Sequence, residues 1–187
     1  MNGIFVAVIG PSGSGKDSIL EAARLALTGQ DDIVFARRRI TRPASAGEDH
    51  TPVSEDEFGA AHSRGEFALT WQAHGLLYGI PAHLVDVVAS GGVVVANVSR
   101  GVLDRLPTVF ANVAVARVTV SDEVRLARIL ARGREDASAA VARVQRLDPA
   151  PNFSVDLEIV NDGTLDEASA TFAAFLRQVR DTVRAPR

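Results

Sequence analysis

The hydrophobic positions of the chain fall into short unbroken runs that alternate with amphipathic stretches. Apolar runs over residues 4–10 and 92–98 are typical of buried parallel strands, and the β-branched stretch 113–120 predicts another strand. Weaker runs over 32–41 and 155–162 predict two more strands. Because strands and helices alternate, the pattern predicts an α/β fold in which helices flank a parallel five-stranded sheet.

Amphipathic segments between these runs predict the helices. Apolar residues recur at helical spacing along 17–27, and Gly29 ends that pattern. Ser121, followed by two acidic residues, starts a helix that extends to about residue 132. A closing helix over 164–184 is expected to bury one apolar face, formed by Leu165, Ala168, Phe172, Phe175 and Val179.

A polar stretch interrupts this alternation between about residues 41 and 82. It is rich in turn-forming residues and predicts an inserted acceptor-binding region. Ser54 and Glu57 form a capping box there, which predicts one short helix over 54–65. We therefore expect a single domain with three parts: a core of 1–40, 83–130 and 150–187, the insertion, and a mobile lid at about 131–147.

Composition narrows the classes of function. A chain of 187 residues is the size of one moderate domain, and a net charge of −3 provides no basic field for nucleic acid or an anionic membrane. The absence of cysteine excludes disulfides and thiolate chemistry and fits a cytoplasmic location. No apolar run approaches the length of a membrane span, and the first residues are interpreted as a buried strand rather than a signal peptide. Oligomeric state is left open.

The segment GPSGSGKDS, residues 10–18, directly follows the first predicted strand. It matches the phosphate-binding pattern G-x-x-x-x-G-K as far as Lys16. The glycines allow backbone N–H groups to face phosphate oxygens, and the lysine reaches the β- and γ-phosphates. The predicted ATP-binding residues are therefore Gly10, Pro11, Ser12, Gly13, Ser14, Gly15 and Lys16, with Lys16 also catalytic.

Asp17 stands where such loops carry a serine or threonine that binds magnesium. A bare carboxylate at this position would repel the nucleotide, whereas a carboxylate that binds Mg²⁺, directly or through water, would not. We therefore predict that Asp17 is a metal ligand. The alternative is that Asp17 only caps the helix from outside the site.

Candidate acceptor-binding residues cluster around the insertion. Four arginines occur within six residues, and guanidinium groups match phosphate oxygens in pairs. Farther along, His74 and Tyr78 are predicted to share a glycine-punctuated loop. The arginines alone would also fit a solvated strand end. The predicted substrate-binding residues are Arg38, Arg39, Arg42, His74 and Tyr78.

The motifs GPSGSGK, TRPASAGE, YG, RLARILARGRED and FSVDLEIVND occur in this order over nearly the whole chain. With that order and spacing the sequence resembles the guanylate-kinase-like nucleoside monophosphate kinases. The resemblance implies phosphate-binding roles for Arg42 and Tyr78, and it places Asn161 in the segment lining the adenine pocket. It also implies a mobile lid with arginines that close on the transferring phosphate, matching Arg132, Arg134 and Arg143.

The chain departs from guanylate kinases where guanine is read. The positions of the base-reading serine and glutamate hold Arg38 and Thr70, and a second phosphate-binding arginine is replaced by Ser45. With these changes and with Asp17, the sequence resembles one branch of the family, the ribose 1,5-bisphosphate phosphokinases. That branch acts in phosphonate catabolism and makes 5-phosphoribosyl 1-diphosphate with ATP. Candidates for contacts with ribose hydroxyls are Glu48, Asp49, His50, Gln72 and His74.

This resemblance implies a reaction that requires no general base, because the attacking phosphate oxygen is already anionic. Catalysis then consists of alignment and charge neutralisation by Lys16, Mg²⁺ and the lid arginines. Three alternatives remain: a true guanylate kinase, a small-molecule kinase such as a gluconate kinase, and an inactive guanylate-kinase-like module that binds phosphopeptides. The intact phosphate loop argues against the last of these.

Overall fold

Two β-sheets organise the molecule, whose computed structural model describes residues 3–43, 49–131 and 154–185. The strands in chain order are β1 (Ile4–Ile9), β2 (Ile33–Phe35), β3 (Arg38–Ile40), β4 (His50–Pro52), β5 (Phe67–Ala73), β6 (Leu76–Pro81), β7 (Val93–Asn97), β8 (Val113–Thr119) and β9 (Leu157–Val160). The helices are α1 (Lys16–Ala26), α2 (Glu55–Ser63), α3 (Leu84–Ala89), α4 (Asp122–Ala131) and α5 (Leu165–Arg184), and a 3₁₀ segment spans Arg100–Thr108.

The first sheet has five parallel strands, as the sequence predicts, and the structure gives their order as β2-β7-β1-β8-β9. The central strand β1 is buried on both faces, with Phe5, Val6 and Ala7 fully inaccessible. This burial is the reason for its unbroken apolar run. The carboxyl ends of parallel strands meet at one edge, where α/β proteins place their ligands.

Helices cover the two faces of this sheet and form two apolar clusters. On one face α1 and α5 pack through residues that include Ile19, Phe172 and Leu176. On the other face α3 and the 3₁₀ segment pack with Phe110, whose ring stacks on Phe5 at 4.2 Å between centroids. The closing-helix prediction is wrong in one detail: Leu165 is 43% exposed, and Ala173 and Leu176 lie in the buried face instead.

The strand predicted over 32–41 is in fact two strands in different sheets. β2 belongs to the parallel sheet, and β3 belongs to a second sheet with the order β4-β3-β6-β5. The division falls at the arginines, because three successive cations cannot continue through a sheet that is buried on both faces. The insertion therefore begins at about residue 38 rather than 41.

The predicted loop around His74 is also wrong, because β5 and β6 form an antiparallel hairpin there. His74 and Gly75 connect the strands, and both have positive φ angles of 53° and 72°. This is the backbone of a tight two-residue hairpin turn. The predicted α2 is confirmed, since the Ser54 hydroxyl accepts a hydrogen bond from the Glu57 backbone and the reciprocal carboxylate contact is present.

The predicted lid at about 131–147 lies almost wholly outside the described residues, because Ala131, at the end of α4, is the only residue of that range that the structure describes. Among the helices that the structure describes, none combines the length and apolar character needed to cross a membrane.

Candidate functional site

The predicted phosphate loop connects β1 to the first turn of α1 at the carboxyl edge of the parallel sheet. Gly15 caps the helix with a φ of 89°, a left-handed conformation that favours glycine. A Cβ at Gly15 would lie only 2.4 Å from the Asn161 amide nitrogen, so a side chain has no room there. The loop therefore directs its backbone and the positive end of α1 towards one point, as phosphate binding requires.

Lys16 is folded into this loop. Its Nζ donates hydrogen bonds to the carbonyl oxygens of Gly10, at 2.8 Å, and Pro11, at 2.9 Å. Burial above all, with a smaller effect of three nearby arginines, lowers the pKa of Lys16 to about 8, although the neighbouring Asp17 carboxylate raises it. An electropositive, desolvated lysine of this kind gains an anionic partner when a phosphate enters.

Two buried side chains support the loop from behind. The Asn161 amide donates to the Ser14 carbonyl at 2.7 Å, and Arg125 Nε donates to the Ser12 carbonyl at 2.9 Å. Both side chains are nearly inaccessible, at 4% and 7% exposure. The structure thus gives the Asn161 side chain a loop-supporting position, although the sequence suggested contact with the nucleotide.

Arg125 and Arg128 were not predicted from the sequence, and they lie on the face of α4 next to the loop. Arg128 Nη1 is buried within 4 Å of the position a Gly15 Cβ would take, and it has no hydrogen-bond partner among the described residues. A signal was present, because Arg125 is spaced four residues from the buried Ile129 and so falls on the apolar face of α4. Arg128 is accordingly a candidate phosphate ligand.

Asp17 is connected to the strand beside β1 rather than to its own helix. Its Oδ1 accepts a hydrogen bond from the Asn97 amide at 2.8 Å and lies 3.9 Å from Arg38 Nη2. The helix cap is the backbone of Gly15, which argues against the capping alternative for Asp17. Asn97, the last residue of β7, was not predicted, although its place at the end of an apolar strand is a usual position for a functional side chain.

Asp17, Arg38 and Asn97 line one wall of a cavity of about 480 Å³. The other walls come from α1, β2, β7 and the residue before β4. The remaining lining residues are Leu20, Glu21, Arg24, Phe35, Ala36, Asp49 and Val95. The cavity therefore adjoins the phosphate loop through Asp17 and combines two arginines with three carboxylates and an apolar floor.

Arg38 is the predicted substrate residue that the structure brings into this cavity. It is 6% exposed, and its guanidinium carbon lies 5.9 Å from the centre of the Tyr78 ring. Tyr78 itself is buried and stacked on Trp71, at 5.2 Å between centroids. Tyr78 thus adjoins the site through Arg38 and supports that side chain.

The other predicted acceptor residues lie apart from the cavity. Arg39 points to the opposite face of β3, where it forms an ion pair with Glu66 and lies over the Phe67 ring. Arg42 borders a separate shallow groove, and His74 is exposed at the tip of the hairpin. A strand sends successive side chains to opposite faces, which is why adjacent arginines cannot serve one site.

The candidates for ribose hydroxyls are also separated. Asp49 lines the cavity, whereas His50 is buried with Nε2 3.2 Å from the Arg42 carbonyl oxygen. Gln72 is exposed on β5. Glu48 and the predicted lid residues Arg132, Arg134 and Arg143 lie outside the described residues.

Magnesium would find a suitable but incomplete donor set here. Across the described ranges, no cluster of three or more histidine, aspartate or glutamate side chains is arranged to hold a metal alone. Mg²⁺ commonly uses one or two protein carboxylates together with nucleotide phosphates. The half-exposed Asp17 carboxylate beside the phosphate loop fits that arrangement.

Comparisons with known proteins agree on one group of relatives. The chain is 50% identical to ribose 1,5-bisphosphate phosphokinase PhnN of Pseudofrankia inefficax, over 98% of this chain and 94% of that protein. It is 42% identical to the protein of the same name from Brucella melitensis, over 96% and 93% of the two chains. No protein-family model matches the chain.

The fold has relatives among solved structures. The crystal structure of guanylate kinase from Anaplasma phagocytophilum superposes with a TM-score of 0.68 at 22% identity, covering 96% of this chain and 87% of that one. At this identity the likeness establishes a guanylate-kinase-like fold, and it leaves the acceptor to be argued from the cavity.

Proposed function

The chain belongs to the ribose 1,5-bisphosphate phosphokinase family, and on this basis we propose that it phosphorylates ribose 1,5-bisphosphate with ATP. An oxygen of the acceptor's 1-phosphate attacks the γ-phosphorus of ATP. The bond between that phosphorus and the β–γ bridging oxygen breaks, ADP leaves, and 5-phospho-α-D-ribose 1-diphosphate forms. The observation that carries the proposal is the placement of Arg38 inside the acceptor cavity, 3.9 Å from Asp17.

The donor side of this reaction would be formed by the phosphate loop. Its backbone N–H groups and Lys16 hold the β- and γ-phosphates, and Arg128 adds a cation beside Gly15. The lid arginines Arg132, Arg134 and Arg143 complete the charge neutralisation in this proposal, as the family resemblance implies. All these groups act on negative charge, which is what a loose phosphoryl-transfer transition state requires.

We assign Asp17 to the magnesium ion that accompanies ATP, with the Asn97 amide fixing the orientation of the carboxylate. When bound, the metal supplies neutralisation of the phosphate charge and alignment of the phosphate chain. Asp17 also lies next to Arg38, so its charge is partly balanced before the nucleotide arrives.

On the acceptor side, Arg38 binds the phosphate that accepts the γ-phosphoryl group. No general base is assigned, because this phosphate oxygen is already ionised at neutral pH. Arg42 keeps the phosphate-binding role that the family resemblance implies, Tyr78 acts through Arg38, and Arg39, on the opposite face of β3, is left out of the acceptor site. A cytoplasmic location belongs to the proposal, because ATP is the donor.

A guanylate kinase is the second candidate, and the fold alone favours it. A guanine base requires hydrogen-bond donors and acceptors that match its edge. Arg38 stands where a base-reading serine is expected, and a guanidinium group can only donate hydrogen bonds. A site without these partners loses discrimination by orders of magnitude. The acceptor cavity therefore favours a sugar phosphate over a nucleotide.

The proposal is tested by identifying the product. Incubation of the protein with MgATP and ribose 1,5-bisphosphate, followed by ³¹P NMR, should show loss of the 1-phosphate signal and a new pair of coupled diphosphate signals beyond those of ADP. Lys16→Met serves as the inactive control. Hydrolysis of ATP without the new diphosphate would overturn the proposal. So would a protein that phosphorylates GMP in a parallel reaction but leaves ribose 1,5-bisphosphate unchanged.

A further inference from the structure

Arg24 lies at the end of the acceptor cavity that is remote from the phosphate loop. It belongs to α1, seven residues beyond Asp17, and lines the same cavity. Its guanidinium forms two hydrogen bonds to Glu21, at 2.6 and 2.9 Å. The cavity therefore has one arginine near each end, Arg38 beside the reacting phosphate and Arg24 farther along α1.

A second ion pair lies on the opposite side of the opening. Asp49 lines the cavity there, and its carboxylate is paired with Arg37 at 2.9 Å. Hydrogen bonding to Glu21, followed by the charges of Glu21 and Asp49, raises the pKa of Arg24. Each carboxylate at the opening thus already has a cationic partner, and the Arg24 guanidinium stays charged.

The spacing of the two arginines suits a doubly phosphorylated sugar. Seven residues of α-helix span about 10 Å, so the cavity extends roughly that far from Asp17 to Arg24. Between its ends the floor is apolar and includes Leu20, Phe35 and Val95. A ribose that carries phosphates on carbons 1 and 5 has this same order: an anion, a compact ring and a second anion.

The Glu21–Arg24 pair is a weak competitor for such a ligand. Both side chains are nearly half exposed, at 47% and 46%. Exposed ion pairs contribute little to stability, whereas an arginine fork binds phosphate through two charge-assisted hydrogen bonds. Transfer of the guanidinium from the carboxylate to a phosphate therefore costs little and gains a doubly charged partner.

We propose that Arg24 binds the 5-phosphate of the acceptor and so selects bisphosphates over monophosphorylated sugars. This inference rests on the proposed function, because it takes the 1-phosphate to react beside Arg38. Arg24 is a specificity-determining residue that contacts the non-reacting end of the substrate. It adds binding energy at a distance from the transferred group.

The test compares two acceptors, ribose 1,5-bisphosphate and ribose 1-phosphate, in wild type and Arg24→Gln. Wild type should prefer the bisphosphate. In Arg24→Gln the KM for ribose 1,5-bisphosphate should rise about tenfold to a hundredfold, while the KM values for ribose 1-phosphate and ATP stay unchanged. Arg177→Gln is the matched control. Arg177 is an exposed arginine on α5 that bonds to Ala26 at the end of α1, away from the cavity.

The quantity to compare is the ratio of the kcat/KM values for the two acceptors, because a loss of folded enzyme affects both values equally and cancels. A ratio in Arg24→Gln equal to that of wild type overturns the role of Arg24, even when wild type turns over the bisphosphate. A wild type that turns over neither sugar phosphate overturns the proposed function, and this inference with it. Equal losses in Arg24→Gln and Arg177→Gln also contradict the proposal, because they indicate a general effect on α1.

Discussion

At the scale of single residues, Asp17 and Asn97 reverse an arrangement common in phosphate-loop enzymes. There a hydroxyl follows the loop lysine and an aspartate on a strand assists the metal. Here the carboxylate follows Lys16, and an amide at the end of β7 bonds to it at 2.8 Å. The pair keeps one carboxylate, which stands on the loop side instead of at the strand end.

This reversal predicts a compensating pair of variants. Asp17→Asn removes the charge and should lower magnesium-dependent activity about tenfold or more. Asn97→Asp places two carboxylates in contact and should weaken MgATP binding by repulsion. The double variant restores one carboxylate and one amide, so it should recover part of the activity, as seen in Mg²⁺ titrations of initial rate. Simple addition of the two losses would show that the residues act independently.

Arg125 carries a second prediction at this scale. Arg125→Met keeps the apolar stem but removes the hydrogen bond to the Ser12 carbonyl. Loss of such a buried bond costs about 1–3 kcal/mol, so the KM for ATP should rise about tenfold while the KM for the acceptor stays constant. Steady-state kinetics with each substrate varied in turn provides the measurement. An equal effect on both KM values would contradict a role confined to the loop.

At the scale of elements, the sequence predicted most of the parallel sheet and little of the second one. Long apolar runs such as 92–98 identify central strands, because burial on both faces leaves no choice of residue. The strands of the second sheet are short or only partly buried, so they show no such run. Pairing also brings Arg38 and His50 side by side across β3 and β4, which no local pattern could indicate.

The same limit applies to the candidate site. The phosphate loop was predictable because a local motif specifies it, and Asp17 was identifiable because it departs from that motif directly after Lys16. Asn97 and Arg24 become visible only when the fold places β7 beside β1 and α1 along the cavity. Arg39 was assigned to the acceptor because it adjoins Arg38 in sequence, yet strand geometry sends it to the other face.

The ion pair of Arg39 with Glu66 predicts a pH-dependent contribution to the second sheet. Hydrogen bonds from Arg39, and then from Arg64, lower the pKa of Glu66. A lowered carboxyl pKa means that stabilisation is present above the unfolded value, near 4.5, and is lost as pH falls through the folded value. Glu66→Gln should therefore unfold at a lower temperature than wild type at pH 7.

The measurement is the difference in thermal unfolding midpoint between wild type and Glu66→Gln from pH 7 to pH 3. That difference should shrink below about pH 4.5 and disappear at the acidic end, where the protonated glutamate of wild type is as neutral as the glutamine of the variant. A difference that stays constant across this range would show that the glutamate contributes by packing rather than by charge.

At the scale of the whole molecule, the acceptor cavity lies where the two sheets meet. Its walls combine α1 and β7 from the parallel sheet with Arg38 and Asp49 from the second. A bisphosphate bound there connects both sheets, so it should stabilise the protein as a unit. At one hundred times its Kd the expected gain is about 2.7 kcal/mol, measured by denaturant unfolding with and without the sugar. Unfolding in two separate transitions, with only one shifted by the sugar, would contradict this linkage.

A competition assay between the two candidate acceptors decides which one the enzyme phosphorylates. Wild type is supplied with MgATP and equal concentrations of ribose 1,5-bisphosphate and GMP, and both products are quantified from the same reaction. The ratio of the two rates equals the ratio of the kcat/KM values. We expect 5-phospho-α-D-ribose 1-diphosphate to form at least a hundredfold faster than GDP, since a site without base-reading partners discriminates strongly against GMP. Formation of GDP at an equal or greater rate would contradict it.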